Sequence, residues 1–340
     1  LTAVVEQLST FGLTMATVGA VANVMGEVFR KKMMLKYSPT ATTFAYRTIS
    51  TILIALAGWW FYTHGHPETI RDVWAFTGLI LVLTAILGYA SWAHLKAFQL
   101  SAMSTTAPLL SFIPVFTLFV AWFFLHELPT ATSLVGIVLV VAGTFAIHVD
   151  LIGKGWLEPL KAVVKDPGSR YMMSVALLYG VSGPIEKKIV LMSGPFTEGT
   201  WYALGTALLF LIIALARRDN PLTPFAKAPM TTVWLSISDA VVLVSQYAAY
   251  AAMPVVINAA LRRTGTLVVV LLGWLIFKEA GIGRKLLGSA IMAVGALIIY
   301  LKFLSLEQAL IIAAAGLAVL VPLAIRARNM GPPPIENAGA

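Results

Sequence analysis

The sequence predicts an all-α polytopic membrane bundle of ten transmembrane helices, built as two inverted five-helix repeats and followed by one extra C-terminal helix. Three observations predict it. The 340 residues are 59% hydrophobic and only 11% charged, less than half of the ~25% charge with which soluble domains cover themselves. Apolar runs close to the ~20 residues needed to cross ~30 Å of hydrocarbon recur along the chain. Two sets of landmarks then repeat at a nearly constant offset.

The runs, bounded by charge, Gly or Pro, fall near 11–29, 39–62, 74–97, 101–125, 131–149, 171–189, 196–216, 231–253, 255–277, 281–303 and 307–325. In a bilayer every backbone polar group must be satisfied within its own segment, so each run reads as a helix. The stretch 151–170 interleaves Trp156, Leu157, Leu160, Val163 and Val164 with Lys154, Lys161 and Lys165, a pattern of a segment lying in the membrane interface. It is the expected seam between the halves. Residues 329–340, rich in Pro and Gly, read as a flexible tail.

The repeat is visible in two places. Lys31-Lys32, followed six positions on by Ser38-Pro39, matches Lys187-Lys188 and Gly194-Pro195 at an offset of 156. Glu127, Gly136 and Gly143 match Glu279, Gly288 and Gly295 at an offset of 152. The copies are thus 11–150 and 171–303, with 304–328 as the additional helix. Five helices is an odd number, so the second copy enters the membrane from the opposite side, an arrangement that recurs among secondary transporters.

The segment SPTATTFAYR entering the second span, the twice-used Glu-x8-Gly turn before the fifth and tenth spans, and ALRRTGTLVVVLLGWLIFKE in the ninth together resemble the EamA-type branch of the drug/metabolite transporter superfamily, over roughly residues 11–303. The resemblance implies two inverted five-helix repeats around a central cavity and a metabolite carrier rather than an enzyme. The eleventh span departs from the ten of that family.

Several chemistries are excluded. With no Cys there are no disulfides, Cys-ligated zinc sites, iron–sulfur clusters or thiol nucleophiles. Nucleotide fingerprints are missing, so no ATP drive is built in and no cofactor is expected. The net charge of +9 sits at the ends of apolar runs, which marks topology and a lipid bilayer as partner, not nucleic acid. His64, His66 and Glu68 read as a solvated loop rather than a metal site. Fifteen Lys/Arg on one set of connections against four on the other predict an N-terminus outside and a C-terminus in the cytoplasm, in a bacterial inner membrane by family habit.

Ionisable groups inside spans are the functional candidates, because each costs about 2.5–3.5 kcal/mol on insertion scales. Adjacent Arg262 and Arg263 in the ninth span repel each other and call for an anion, and guanidinium forks fit carboxylate and phosphate. Sugar-phosphate translocators look similar here, which implies anion binding by both arginines. The alternative is an ion pair of one arginine with Asp239 or Glu27. Asp239 shares a helical face with Ser236, Leu243, Gln246 and Tyr250, and the repeat offset sets His94 opposite Gln246. Tyr89, Trp92, Lys96 and Gln99 form a second row. Asn258 adds a hydrogen-bonding group. Glu27 and Asp239 are candidates for charge or proton coupling, with a simple i,i+4 pair with Lys31 as the alternative for Glu27.

The expected function is secondary-active transport of a small polar, anionic or zwitterionic metabolite. The rival readings are a non-transporting subunit that docks a homodimer or membrane-complex partner through the extra helix, and, last, a lipid-modifying enzyme.

Overall fold

The computed structural model describes residues 10–117, 131–147, 158–252, 255–279 and 281–300. Among them the chain is helical throughout, with no strand. The long helices are α1 (Thr10–Met34), α2 (Pro39–Thr63), α3 (Val73–Leu100), α4 (Met103–Thr117), α5 (Ala131–Ile147), α6 (Pro167–Ser193), α7 (Pro195–Ala216), α8 (Pro229–Ala252), α9 (Val255–Phe277) and α10 (Ile282–Tyr300). Short helices at Glu158–Lys165 and Thr223–Lys227 lie between them. Among the described residues α1, α2, α3, α7 and α8 are long and apolar enough to cross a membrane, and residues 103–117, 134–147 and 265–277 are shorter apolar helices. The expected eleventh span and Glu127 lie outside the described residues.

Local chemistry fixes the helix starts. Ser38 accepts from Ala41 N at 3.1 Å, Asp72 from Ala75 N at 3.0 Å and Asp166 from Ser169 N at 2.7 Å, each satisfying a donor that a helix N-terminus leaves orphaned. Pro39, Pro167 and Pro195 occupy first-turn positions, where no N–H is missed. Gly194, at φ +88°, turns α6 directly into α7, a backbone state open to Gly and strained for other residues. Residues 103–117 are less regular, with a 3₁₀ stretch at Ala107–Phe112 that contains Pro108.

The principal pairings set α1 against α8, α2 against α7, α3 against α6 and α5 against α10, with α9 lying on α1 and α10. Each of the first four joins a helix from before the 151–170 stretch to one from after it, so the two halves interlock. At α5 and α10 the backbones themselves touch. A Cβ on Gly143 would fall 2.6 Å from the Gly288 carbonyl oxygen, one on Gly288 2.5 Å from that of Gly143, and one on Gly295 2.7 Å from that of Gly136. The glycine rows that repeat in the sequence therefore face each other, and small residues permit this approach.

Helices α1 and α6 run past the predicted ends at 29 and 189, and in α1 the charges of the extension are used inside the protein. Lys31 does not pair with Glu27. Its Nζ donates to the carbonyls of Phe98 (2.7 Å) and Ser101 (2.9 Å), and so caps the last turn of α3, whose carbonyls have no partner within the helix.

Candidate functional site

Between the halves lies a cavity of about 190 Å³, walled by α1, α2, α3, α4, α6, α7, α8 and α9. It is smaller than the ~300–1,000 Å³ of drug-sized sites. Three arginines (Arg30, Arg47, Arg262) and three carboxylates (Glu27, Glu186, Asp239) line it, with His94. Among the described residues the lining thus carries as many carboxylates as arginines.

One group of these residues is joined by ion pairs, with Arg47 Nε left without a hydrogen-bond partner among the described residues. Asp239 on α8 accepts from Arg47 at 3.0 Å and from Arg30 at 3.5 Å. Arg30 also pairs with Glu27 at 3.1 Å, and His94 Nε2 stands 2.9 Å from the other Glu27 oxygen. Arg47 further donates to Ser91 Oγ (3.1 Å) and Tyr202 Oη (3.0 Å), and its guanidinium lies over the rings of Tyr202 and Tyr46, 4.7 and 5.1 Å from their centroids. Four helices are tied together by this chain of charges. Networks of this kind tolerate burial because each member satisfies the next.

A second group is sparsely engaged. Glu186 on α6 accepts from Ser182 (2.7 Å) and from Gln246 Nε2 (2.7 Å), and the same Gln246 nitrogen reaches Tyr250 Oη at 3.1 Å. Arg262 donates to Asn23 Oδ1 at 3.4 Å, while its Nε has no hydrogen-bond partner among the described residues. Beside this group α6 is interrupted by Pro184. The missing N–H of Pro184 releases the Gly180 carbonyl, and Thr117 Oγ1 on α4 approaches that oxygen to 3.2 Å.

The structure brings together Glu27, His94, Asp239, Gln246, Tyr250 and Arg262 at the cavity. Asp239, Leu243, Gln246 and Tyr250 do share one face, as their spacing predicts. Arg262 meets Asn23 rather than pairing with Asp239 or Glu27. Trp92 and Lys96 are not in the lining. Trp92 packs edge-on against Tyr171, and Lys96 bonds Gln99 at 2.7 Å, because these positions occupy the side of α3 turned from His94. Asn258 is wholly buried, yet it does not line the cavity, and its side-chain atoms lack hydrogen-bond partners among the described residues. The helical backbone of α9 includes Arg263, whose side chain lies outside the described part.

Arg47, an ionisable group inside the second span, also lines the cavity, and Arg30, Glu186 and Tyr202 are cavity residues that the sequence reading did not select. Arg30 counts there as a loop charge, and Glu186 is masked by its neighbours Lys187 and Lys188. The available signals were the i,i+3 spacing of Glu27 and Arg30 and the i,i+4 spacing of Ser182 and Glu186.

Residues 10–149 match the EamA-like transporter family. This part of the chain is an EamA-like domain. Together with the apolar helices it marks the chain as an integral membrane protein. A solved structure titled "Crystal structure of protein" is similar in fold, with a TM-score of 0.61 over 86% of this chain and 96% of that one, at 14% identity. No curated protein matches. The EamA-like domain contributes Glu27, Arg30, Arg47 and His94 to the cavity, and residues beyond it contribute Glu186, Asp239, Gln246 and Arg262.

Proposed function

We propose that the protein is a secondary-active transporter that carries a small zwitterionic or anionic metabolite by alternating access. Its core is two inverted five-helix repeats, 11–150 and 171–303, joined by the interfacial 151–170 segment, and the chain lies in a bacterial inner membrane with its N-terminus outside. The interlocked pairings α1 with α8, α3 with α6 and α2 with α7 support the repeat reading, since an exchange of halves maps the first of these onto the second and the third onto itself. The extra helix at 304–328 is a docking element for a second copy or a membrane partner.

The observation that carries the functional reading is that Arg262 and Glu186 line the cavity without an ion-pair partner among the described residues, whereas Arg30 and Arg47 are each paired with a carboxylate. A guanidinium with one long hydrogen bond offers its remaining donors to a substrate carboxylate. A carboxylate held by Ser182 and Gln246 offers an acceptor to a substrate ammonium. The balanced lining charge favours a zwitterion over a multiply charged anion, because each net charge brought into low dielectric must be matched. Asp239 and Glu27 belong to the framework of this site, and His94, Gln246 and Tyr250 supply its hydrogen bonds.

The test is uptake by purified protein in liposomes, with a panel of amino acids, organic acids and sugar phosphates. Saturable uptake of amino acids, lost in Arg262→Ala, is the expected result. Saturable uptake of none of the panel, or uptake unchanged by that substitution, overturns the reading.

A further inference from the structure

Behind the cavity wall, α7 carries an acidic side chain that the site described above does not use. Glu198 is completely buried, and neither carboxyl oxygen has a hydrogen-bond partner among the described residues. Tyr247 on α8 is also completely buried, its hydroxyl is likewise without a partner, and it lines the cavity. The two lie within electrostatic reach of each other and of Glu186, and a Cβ on the neighbouring Gly199 would meet the Tyr247 ring at 3.7 Å.

A capping role would explain an acid in the first turn of a helix, but that role is filled. The N–H groups of Phe196 and Thr197 donate to Glu68 at 3.1 and 2.7 Å. Among the described residues no cation faces Glu198 from the packed elements either. Tyr247 of α8 and Glu186 of α6 are the titratable groups within electrostatic reach of it. The α2 contact beside it is Ile54, while Arg47 of α2 is bound to Asp239 and Tyr202, and α3 meets α7 at Thr84 and Gly205. A hard metal ion needs six or more converging oxygens, whereas a proton needs one. An ionised carboxylate buried alone is strongly disfavoured, and such a group neutralises instead.

We infer that Glu198 is a proton-binding site, loaded and emptied through the cavity past Tyr247, and that its proton is the coupling ion of the transport cycle. The uptake step adds one aqueous proton to a carboxylate oxygen to form the acid, and release returns it. The coupling half of this inference rests on the carrier reading, whereas the site itself does not.

Infrared titration of the whole protein in nanodiscs reads the site directly. Wild type at pH 7 is expected to show the carbonyl stretch of a protonated, water-shielded carboxylic acid, absent in Glu198→Gln and shifted in Glu198→Asp. The aspartate variant keeps the assay informative should the glutamine variant fail to fold. A band that is missing in wild type, or unaltered in the variants, overturns the site. Coupling is read in liposomes with a labelled equimolar mixture of neutral L-amino acids under an imposed pH difference. Wild type is expected to concentrate the mixture at least tenfold and Glu198→Gln only to equilibrate it. Equal accumulation by both, or accumulation driven by a sodium gradient alone, overturns proton coupling at Glu198. No uptake by either protein, with the infrared band assigned to Glu198, overturns the carrier reading and leaves the proton site standing.

Discussion

The two polar groups that share the cavity are built from the same residue types and behave differently. In the Arg47–Asp239–Arg30–Glu27–His94 group each charge touches its opposite within 3.5 Å. In the Arg262–Glu186–Gln246–Tyr250 group the cation has one bond of 3.4 Å and the anion is held by neutral side chains. Burial of charge is therefore not in itself a mark of binding. A closed network carries its own counterions and joins helices, whereas an open one leaves donors and acceptors for a molecule that supplies the missing halves.

The comparison can be broken most decisively at Asp239. Asp239→Ala strands Arg47 without an anion and leaves Arg30 only Glu27, and loss of one partner of a buried pair costs about 3–5 kcal/mol. Thermal unfolding in detergent should show a much lowered midpoint and poor yield of folded protein. A midpoint equal to that of wild type would mean that the closed group does not hold the bundle together. Arg262→Ala should do the reverse, with a drop in uptake of more than tenfold and a loss of stability of roughly 1 kcal/mol or less, since the bond it gives up is long and single. A stability loss as large as that of Asp239→Ala would erase the distinction between the groups.

Gln246→Leu sharpens the comparison within the open group. It removes the 2.7 Å bond to Glu186, and hydrogen bonds to charged groups contribute about 1.5–3 kcal/mol. Uptake should fall several-fold through substrate affinity, seen as a raised KM with a smaller change in kcat. The smallest effect is expected from Lys96→Gln, which alters a side chain bonded only locally to Gln99. Surface changes of this kind stay within about 0.5 kcal/mol, and uptake should be within twofold of wild type.

Much of this architecture is legible in the residues, because a bilayer forces long apolar runs into helices and makes each interior charge conspicuous. Asp239, His94, Gln246, Tyr250, Glu27 and Arg262 stand out for that reason and reach the cavity. Spacing along a helix defines a face but not the direction in which the face turns. Residues two apart are about 200° apart at 3.6 residues per turn, so His94 and Lys96 cannot both look inward, and packing against Tyr171 selects which side of α3 is outside. Arg30 and Glu186 escaped notice because they sit beside the lysines that mark the ends of apolar runs. Charge that sets topology and charge that builds a site are adjacent in sequence there, and only burial in the packed bundle separates them.

The glycine seam between α5 and α10 has a mechanical corollary. Two backbones in direct contact, carbonyl against the place where a side chain would begin, have no pliable layer between them and cannot slide without collision. The pair acts as a keel. One methyl group at Gly143 or Gly288 would meet the facing carbonyl at 2.6 or 2.5 Å and pry the pair apart.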